Sequence, residues 1–319
     1  MALMDAPDRM PAISADTRLL VVAPHPDDET IATGVLVQQV RAAGGEVRIL
    51  LLTAGDNNPW PQRWLERRWR IRAEDRQRWA RRRSQELQEA LATLGISPPG
   101  LQAPGWPDLG VTDLLMQSTD SAVAVIVDAI DRFKPDLVAL PSLHDHHPDH
   151  SAAHVLVRLA LATHASPPTL LAYLVHGKAD ASRFVEIDPT PAQLSNKHAA
   201  LHAHRSQIAL SGKRLHRLAG RPERYLALGN GARPALDSLD SLPWRPPRWL
   251  QPWLRLSVVD SAGGHVWAWS DAPLQRTADG KFQLSLPERE RSAPRFARLS
   301  LTLSSPWIFD HWGWCELKA

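Results

Sequence analysis

Two short segments concentrate the side chains that can do chemistry. One is Pro24-His25-Pro26-Asp27-Asp28-Glu29, the other Asp145-His146-His147-Pro148-Asp149-His150. Together they place eight His or Asp residues in two windows of six. Imidazole nitrogens and carboxylate oxygens suit Zn2+ held by three protein groups, with a further position open for water. Two histidines and a carboxylate also describe non-haem iron, so the donor types leave zinc and iron both open. A bound zinc brings the pKa of water down to about 7. A carboxylate outside the ligand set can then take the water's proton, while a second titratable group protonates the leaving atom. His25 and Asp28, three apart on a turn, can reach one metal, and the proline between them limits the backbone. Asp27 and His147 each stand beside a candidate ligand and suit the proton transfers. A single such residue at a helix start is usually a cap; the conjunction of two clusters is not explained that way.

For both segments to meet, the fold must bring them to one edge. Arg18–Ala23 (RLLVVA) is a short apolar run that reads as a buried strand, with the first segment directly after it. Helical spacing follows from Glu29 to Ala43 through Ile31, Val35, Leu36 and Val40, and Gly44-Gly45 suits the stop. Glu46–Thr53 is a second buried strand, so this β-α-β unit implies a parallel sheet. Asp136–Pro141 is a further strand, and the second segment follows it. Both segments therefore open from the carboxyl edge of one sheet, where open α/β folds bind ligands.

Further helices are expected over Ser121–Phe133, Ser151–Thr163 and, behind the capping box Thr190-Pro191-Ala192-Gln193, about Pro191 to Gln207. Leu170–Val175 reads as a strand. Gln62 to Leu94 reads as an interrupted helix, with Leu65, Trp69, Ala73, Ala80, Leu87, Leu91 and Leu94 on one stripe. Gly229–Gly231 is turn-like, and strand-like runs follow at Leu254–Val259, His265–Trp269, Phe282–Leu286 and Ala297–Leu303. The reading is an α/β fold: a Rossmann-like, mostly parallel sheet flanked by helices over residues 1–235, then a small antiparallel, Trp-rich β extension over 236–319.

With these residues in place, the chain resembles the PIG-L (LmbE-like) zinc-dependent de-N-acetylases. Their Ala-His-Pro-Asp-Asp-Glu signature is matched by Ala23-Pro24-His25-Pro26-Asp27-Asp28-Glu29, with one extra proline after the alanine. Their His-Pro-Asp-His signature is matched by His147-Pro148-Asp149-His150. Thr53-Ala54-Gly55-Asp56, Arg83-Ser84-Gln85-Glu86, Pro107-Asp108 and Lys197 with His204-Arg205-Ser206-Gln207 extend the likeness over roughly residues 18 to 230. The resemblance implies His25, Asp28 and His150 as zinc ligands and Asp27 as general base. It implies His147 as the group that stabilises the oxyanion or protonates the leaving amine. Asp149 would orient one of the histidines, and Asp56 and Arg83 match positions near the sugar. The implied activity removes the N-acetyl group from an N-acetylated amino sugar of the N-acetylglucosamine type, free or conjugated. An amidase acting on another N-acyl conjugate, or an inactive sugar-binding protein that keeps the metal, are the alternatives.

Composition narrows the rest. The single cysteine, Cys315, rules out an internal disulfide and a thiolate zinc finger. The first ten residues lack the pattern of a signal sequence, and no apolar run is long enough to span a bilayer, so a cytoplasmic protein is expected. Trp60–Arg83 holds ten arginines, three acids and four tryptophans. An RNA-binding helix, an interfacial helix and a partly solvated helix packed on the sheet all fit it. A phosphate- or lipid-linked substrate and peripheral membrane contact therefore stay open, while nothing else in the chain supports nucleic acid. Eight of the thirteen tryptophans lie in the extension, where packing is expected over sugar stacking. His198 and His202 share a helix face but lack a third donor nearby in sequence.

Overall fold

The computed structural model describes residues 10–162, 164–177, 184–228, 241–286, 294–302 and 312–317. The boundary expected at residue 235, the turn at 229–231 and Trp307 lie outside them. The chain runs β1 (Arg18–Ala23), α1 (Asp28–Ala42), β2 (Glu46–Leu51), α2 (Pro59–Glu66), α3 (Ala73–Thr93), β3 (Leu101–Gln102), α4 (Val111–Gln117) and α5 (Thr119–Phe133). It continues through β4 (Leu137–Pro141), α6 (Pro148–Leu161), β5 (Thr169–Tyr173), β6 (Val185–Ile187), α7 (Pro191–Ala203), α8 (Arg205–Ala219) and β7 (Glu223–Leu228). These strands form one sheet in the order β3-β2-β1-β4-β5-β7-β6. It is parallel from β3 to β5, and β7 joins β5 and β6 antiparallel at the edge.

The apolar runs become strands because both faces are covered. Leu19, Val21 and Ala23 of β1 point into a core shared with α1, α3 and α7, while Leu20 and Val22 point into a second core under α5 and α6. A strand buried on both sides has no polar face to alternate with, hence the continuous RLLVVA run. A buried ion pair ties the first layer together. Lys197 of α7 reaches Glu223 of β7 at 2.6 Å, and Glu223 also accepts from the backbone N–H groups of Val35 and Leu36 in α1.

The extension comprises β8 (Ser241–Leu242), β9 (Leu254–Asp260), β10 (Gly263–Ala268), β11 (Leu274–Arg276), β12 (Phe282–Leu284), β13 (Arg295–Leu301) and β14 (Trp314–Leu317). They pair antiparallel as β10-β9-β13-β14 and β11-β12-β8. Val259, Phe296 and Trp314 pack onto the α4–α6 layer, and Leu256, Val258 and Leu299 face a core of the extension's own with Trp269. Trp269 and Trp314 are therefore packing residues, whereas Trp249 and Trp253 are exposed.

Two expectations change. The interruption expected between Gln62 and Leu94 falls at Arg67, left-handed at the end of α2, with α3 beginning six residues later; the stripe is what changes. The break resets the helical phase, so Trp69 and Ala73 are exposed and the buried stripe of α3 runs through Trp79, Arg83, Leu87 and Leu91. Similarly, the helix from Pro191 stops at Ala203, and α8 starts anew after His204. The Thr190–Gln193 capping box is present.

Candidate active site

Within the parallel part of the sheet, β1 is followed by neighbours on one side (β2, β3) and then on the other (β4, β5). The crevice at such a switch point, beyond the strand carboxyl ends, is where open α/β sheets bind ligands. The two His/Asp loops leave from β1 and β4, the two strands that flank it.

Each loop is built to aim its side chains. After β1, the His25 N–H donates to Asp28 Oδ2 (2.9 Å) and the Asp28 N–H to the His25 carbonyl (3.2 Å), closing a tight turn. Asp27 sits at the N-cap of α1 with φ 120°, a conformation rare for a side-chain-bearing residue. After β4, Asp145 holds the second loop: it accepts from the backbone N–H groups of His147, Val175 and His176, each at 3.0 Å. His147 caps α6, its Nδ1 accepting from the Asp149 N–H (3.2 Å), with Pro148 at the first helical position. That bond leaves the proton of neutral His147 on Nε2.

The loops converge on three donor atoms. His25 Nδ1 lies 3.3 Å from His150 Nε2 and 3.4 Å from Asp28 Oδ2, and His150 Nε2 lies 3.2 Å from Asp28 Oδ2. Donors about 2.1 Å from a tetrahedral zinc stand about 3.4 Å apart. The far nitrogens are also held. His25 Nε2 meets Asp149 at 3.1 Å and Asp108 at 3.3 Å, and His150 Nδ1 meets Asp145 at 3.2 Å. A carboxylate on the far nitrogen fixes the tautomer and raises the basicity of a metal-binding imidazole. His147 and His176 add donors to the same cluster.

Electrostatics agree with a cation site. Asp28, Asp108, Asp145 and Asp149 are buried, and among the described residues their ion-pair partners are His25 and His150. Burial works against ionisation of Asp28, yet His150 and His25 hold it well below the usual carboxylate range. Burial likewise opposes a charge on His150, but Asp28 and Asp145 push it up to about 10. Burial, reinforced by His25 and His150, drives His147 well below an ordinary imidazole. The Asp27 carboxyl is pushed up to about 6 by burial, with Arg83 opposing. A cavity of about 150 Å³ holds His25, Asp27, Asp28, Asp108 and His147, with Gln207, Ser211 and Arg214 of α8 on its other wall. A larger one, about 420 Å³, shares Ile31, Val175 and Leu218 with it but lacks the His/Asp cluster.

Residues 20–161, from β1 to the end of α6, match the family described as PIG-L, GlcNAc-PI de-N-acetylase. The match takes in both His/Asp loops and the strands that carry them.

A 1D-myo-inositol 2-acetamido-2-deoxy-alpha-D-glucopyranoside deacetylase of Mycolicibacterium vanbaalenii is 29% identical to it over 241 residues, covering 61% of this chain and 82% of that protein. The N,N'-diacetylchitobiose deacetylase of Pyrococcus horikoshii shares the fold, with a TM-score of 0.52 and 19% identity over 66% of this chain and 84% of the other. So does the 4-carboxy-2-hydroxymuconate hydratase of Pseudomonas putida KT2440, with a TM-score of 0.50 and 18% identity over 68% and 97%. The fold thus carries more than one chemistry, and the choice rests on the site.

Within the matched segment, Arg83 is buried rather than on a solvated helix face. Its guanidinium donates to the carbonyls of Gly55 and Pro26 and stands 3.8 Å from Asp27 Oδ1, bracing the loops after β1 and β2. Gly55 has φ +61°, and a Cβ there would overlap that guanidinium. Arg83→Met should cost about 3–6 kcal/mol, because two hydrogen bonds from a charged group are lost and each contributes about 1.5–3 kcal/mol. A lowered urea midpoint with unchanged slope would show it. Asp56 is half-exposed and does not line the cavity; Asn58 does. Burial and the nearby Asp108 charge raise its pKa.

Three residues with no role read from the sequence belong to the site. Asp108 and Asp145 supply carboxylates to His25 and His150, and both lie just after strands or inside a motif, which was the available signal. His176 follows β5, beyond the PIG-L match, with its ring 5.1 Å from that of His150 and Arg214 at 2.8 Å from its Nδ1. Elsewhere, His216 brings a third imidazole beside His202 (ring centroids 4.8 Å apart), but no three-donor group forms there among the described residues.

Proposed function

We propose that the chain is a zinc-dependent hydrolase that removes the N-acetyl group from an N-acetylated amino sugar of the N-acetylglucosamine type. The carrying observation is the triangle of His25, Asp28 and His150 donors, 3.2–3.4 Å on each side, in one cavity with Asp27 and His147. The deacetylase relative that spans most of its own length in the comparison supports the sugar. The donor set of two imidazoles and one carboxylate, with a position left for water, supports zinc.

In this reading His25, Asp28 and His150 would hold the zinc. The metal would supply a Lewis acid and make water acidic enough to ionise near neutral pH. Asp149 and Asp108 fix His25, and Asp145 fixes His150, so the donors are set before substrate arrives. Asp27 takes the proton of the attacking water, placed for it by the turn at φ 120°. His147, neutral with its proton on Nε2, hydrogen-bonds the developing oxyanion, and Asp27 returns the proton it took from water to the leaving amine. Acetate and the free amino sugar are the products. The adjoining larger cavity leaves room for whatever the sugar is linked to.

The test is acetate release by the full chain from an N-acetylglucosaminyl inositol and from N,N'-diacetylchitobiose. Turnover should vanish after dialysis against a chelator and return with zinc. A zinc-loaded protein that releases acetate from neither sugar would overturn the reading.

A further inference from the structure

The packing of α2 leaves unexplained what it exposes. Trp60, Trp64 and Trp69 are 60%, 67% and 83% exposed. Trp60 and Trp64, four apart on α2, share one face. The Arg63 guanidinium lies 4.9 Å from the centre of the Trp60 ring and 5.9 Å from that of Trp69, joining the helix and the α2–α3 link into one patch. Around it, Arg67, Arg68 and Arg70 are exposed. Of the acids nearby, Glu66 is paired with Arg78, and Asp75 with Arg68 and Arg78. Glu74 is exposed. Arg67 and Arg70 form no ion pair among the described residues, and Arg76 has only the electrostatic pull of Asp56, so the surface is cationic.

The patch borders the mouth of the catalytic cavity. Asn58, which caps α2, lines that cavity. Helix α2 packs on α8, whose Arg214 also lines it and whose Leu210 and Lys213 are exposed.

We propose that α2 and its link to α3 form a docking surface for an anionic phospholipid bilayer, which brings the cavity mouth to the headgroup layer. Exposed aromatic clusters on soluble domains mark interaction sites. Indole settles at the boundary between headgroups and acyl chains, and flanking arginines match anionic headgroups. Among the described residues no helix is long and apolar enough to cross a membrane. A single-stranded nucleic acid fits less well. It needs ring faces open for stacking along a groove, and here Arg63 lies over Trp60 and Trp69.

The test is flotation of the full chain with phosphatidylcholine vesicles, with and without phosphatidylglycerol at about one lipid in three. The wild type should float with the anionic vesicles only and be released by high salt. The pairs Trp64→Ser with Trp69→Ser, and Arg67→Glu with Arg70→Glu, should each lower partitioning by about tenfold or more. Their melting curves and their acetate release from a water-soluble N-acetyl sugar should stay at wild-type values. A wild type that ignores anionic vesicles overturns the proposal, whether or not it binds an RNA oligonucleotide. So do variants that float as well as wild type. Flotation requires no turnover, so a failed deacetylase reading and a failed docking surface give different results.

Discussion

Asp27→Asn is expected to keep the fold and the metal and to lose about 10²–10⁴-fold in turnover, the usual range for general acid–base catalysis. The change removes the proposed proton acceptor and the charge facing Arg83, and leaves the turn intact. Asparagine, like aspartate, tolerates positive φ, so the turn at φ 120° survives. The bonds that shape the turn are made by the backbone: the Asp27 N–H donates to Glu29 (2.9 Å), and its carbonyl accepts from Thr30 and Ile31. Nor is the Asp27 side chain one of the three converging donors, so metal content should hold. The measurement pairs kcat on an N-acetyl sugar with metal analysis of the same sample. Wild-type turnover in a fully loaded variant would remove Asp27 from the mechanism.

His150→Ala is expected to lose the metal and with it all activity. The ring is fully buried and serves both sides of the site. Nε2 stands 3.2 Å from Asp28, and Nδ1 stands 3.2 Å from Asp145. Removing it deletes one of three donors and takes the imidazole partner it supplies from two buried carboxylates, a loss on the order of 3–5 kcal/mol for a broken buried pair. Asp145→Asn provides the comparison, because it leaves all three donors in place while weakening the carboxylate behind His150 and its hold on the loop, and it should cost about 10–100-fold in metal affinity. Zinc titration of both variants separates the roles. His150→Ala that binds zinc as tightly as Asp145→Asn would exclude His150 as a ligand.

The structure extends what residue types and spacing convey in a specific way. The sheet from β1 to β5 and the two loops were readable because strands buried on both faces carry continuous apolar runs, and a turn-forming His/Asp cluster after a strand stands out locally. Strand β7 was not readable. It lies antiparallel at the sheet edge, and Glu223 at its start is satisfied by Lys197 and by α1, all distant in sequence. The break at Arg67 was suggested only as an interruption. Its consequence, Trp69 turned to solvent and Trp79 to the core, depends on a left-handed residue that helical periodicity does not report.

By itself, the sequence determined the kind of chemistry: one cysteine and two His/Asp clusters at strand ends leave nitrogen and oxygen donors for a metal. It also determined that these clusters share a sheet edge, since parallel strands all point their carboxyl ends the same way. Only the tertiary structure decided which carboxylate stands behind which histidine, that Arg83 is a buried brace rather than a solvated arginine, and that His176 joins the site. Spacing along a chain reports neighbours within a turn or a strand. Partners brought together across more than a hundred residues, as His25 and Asp149 are, are set by how the layers pack.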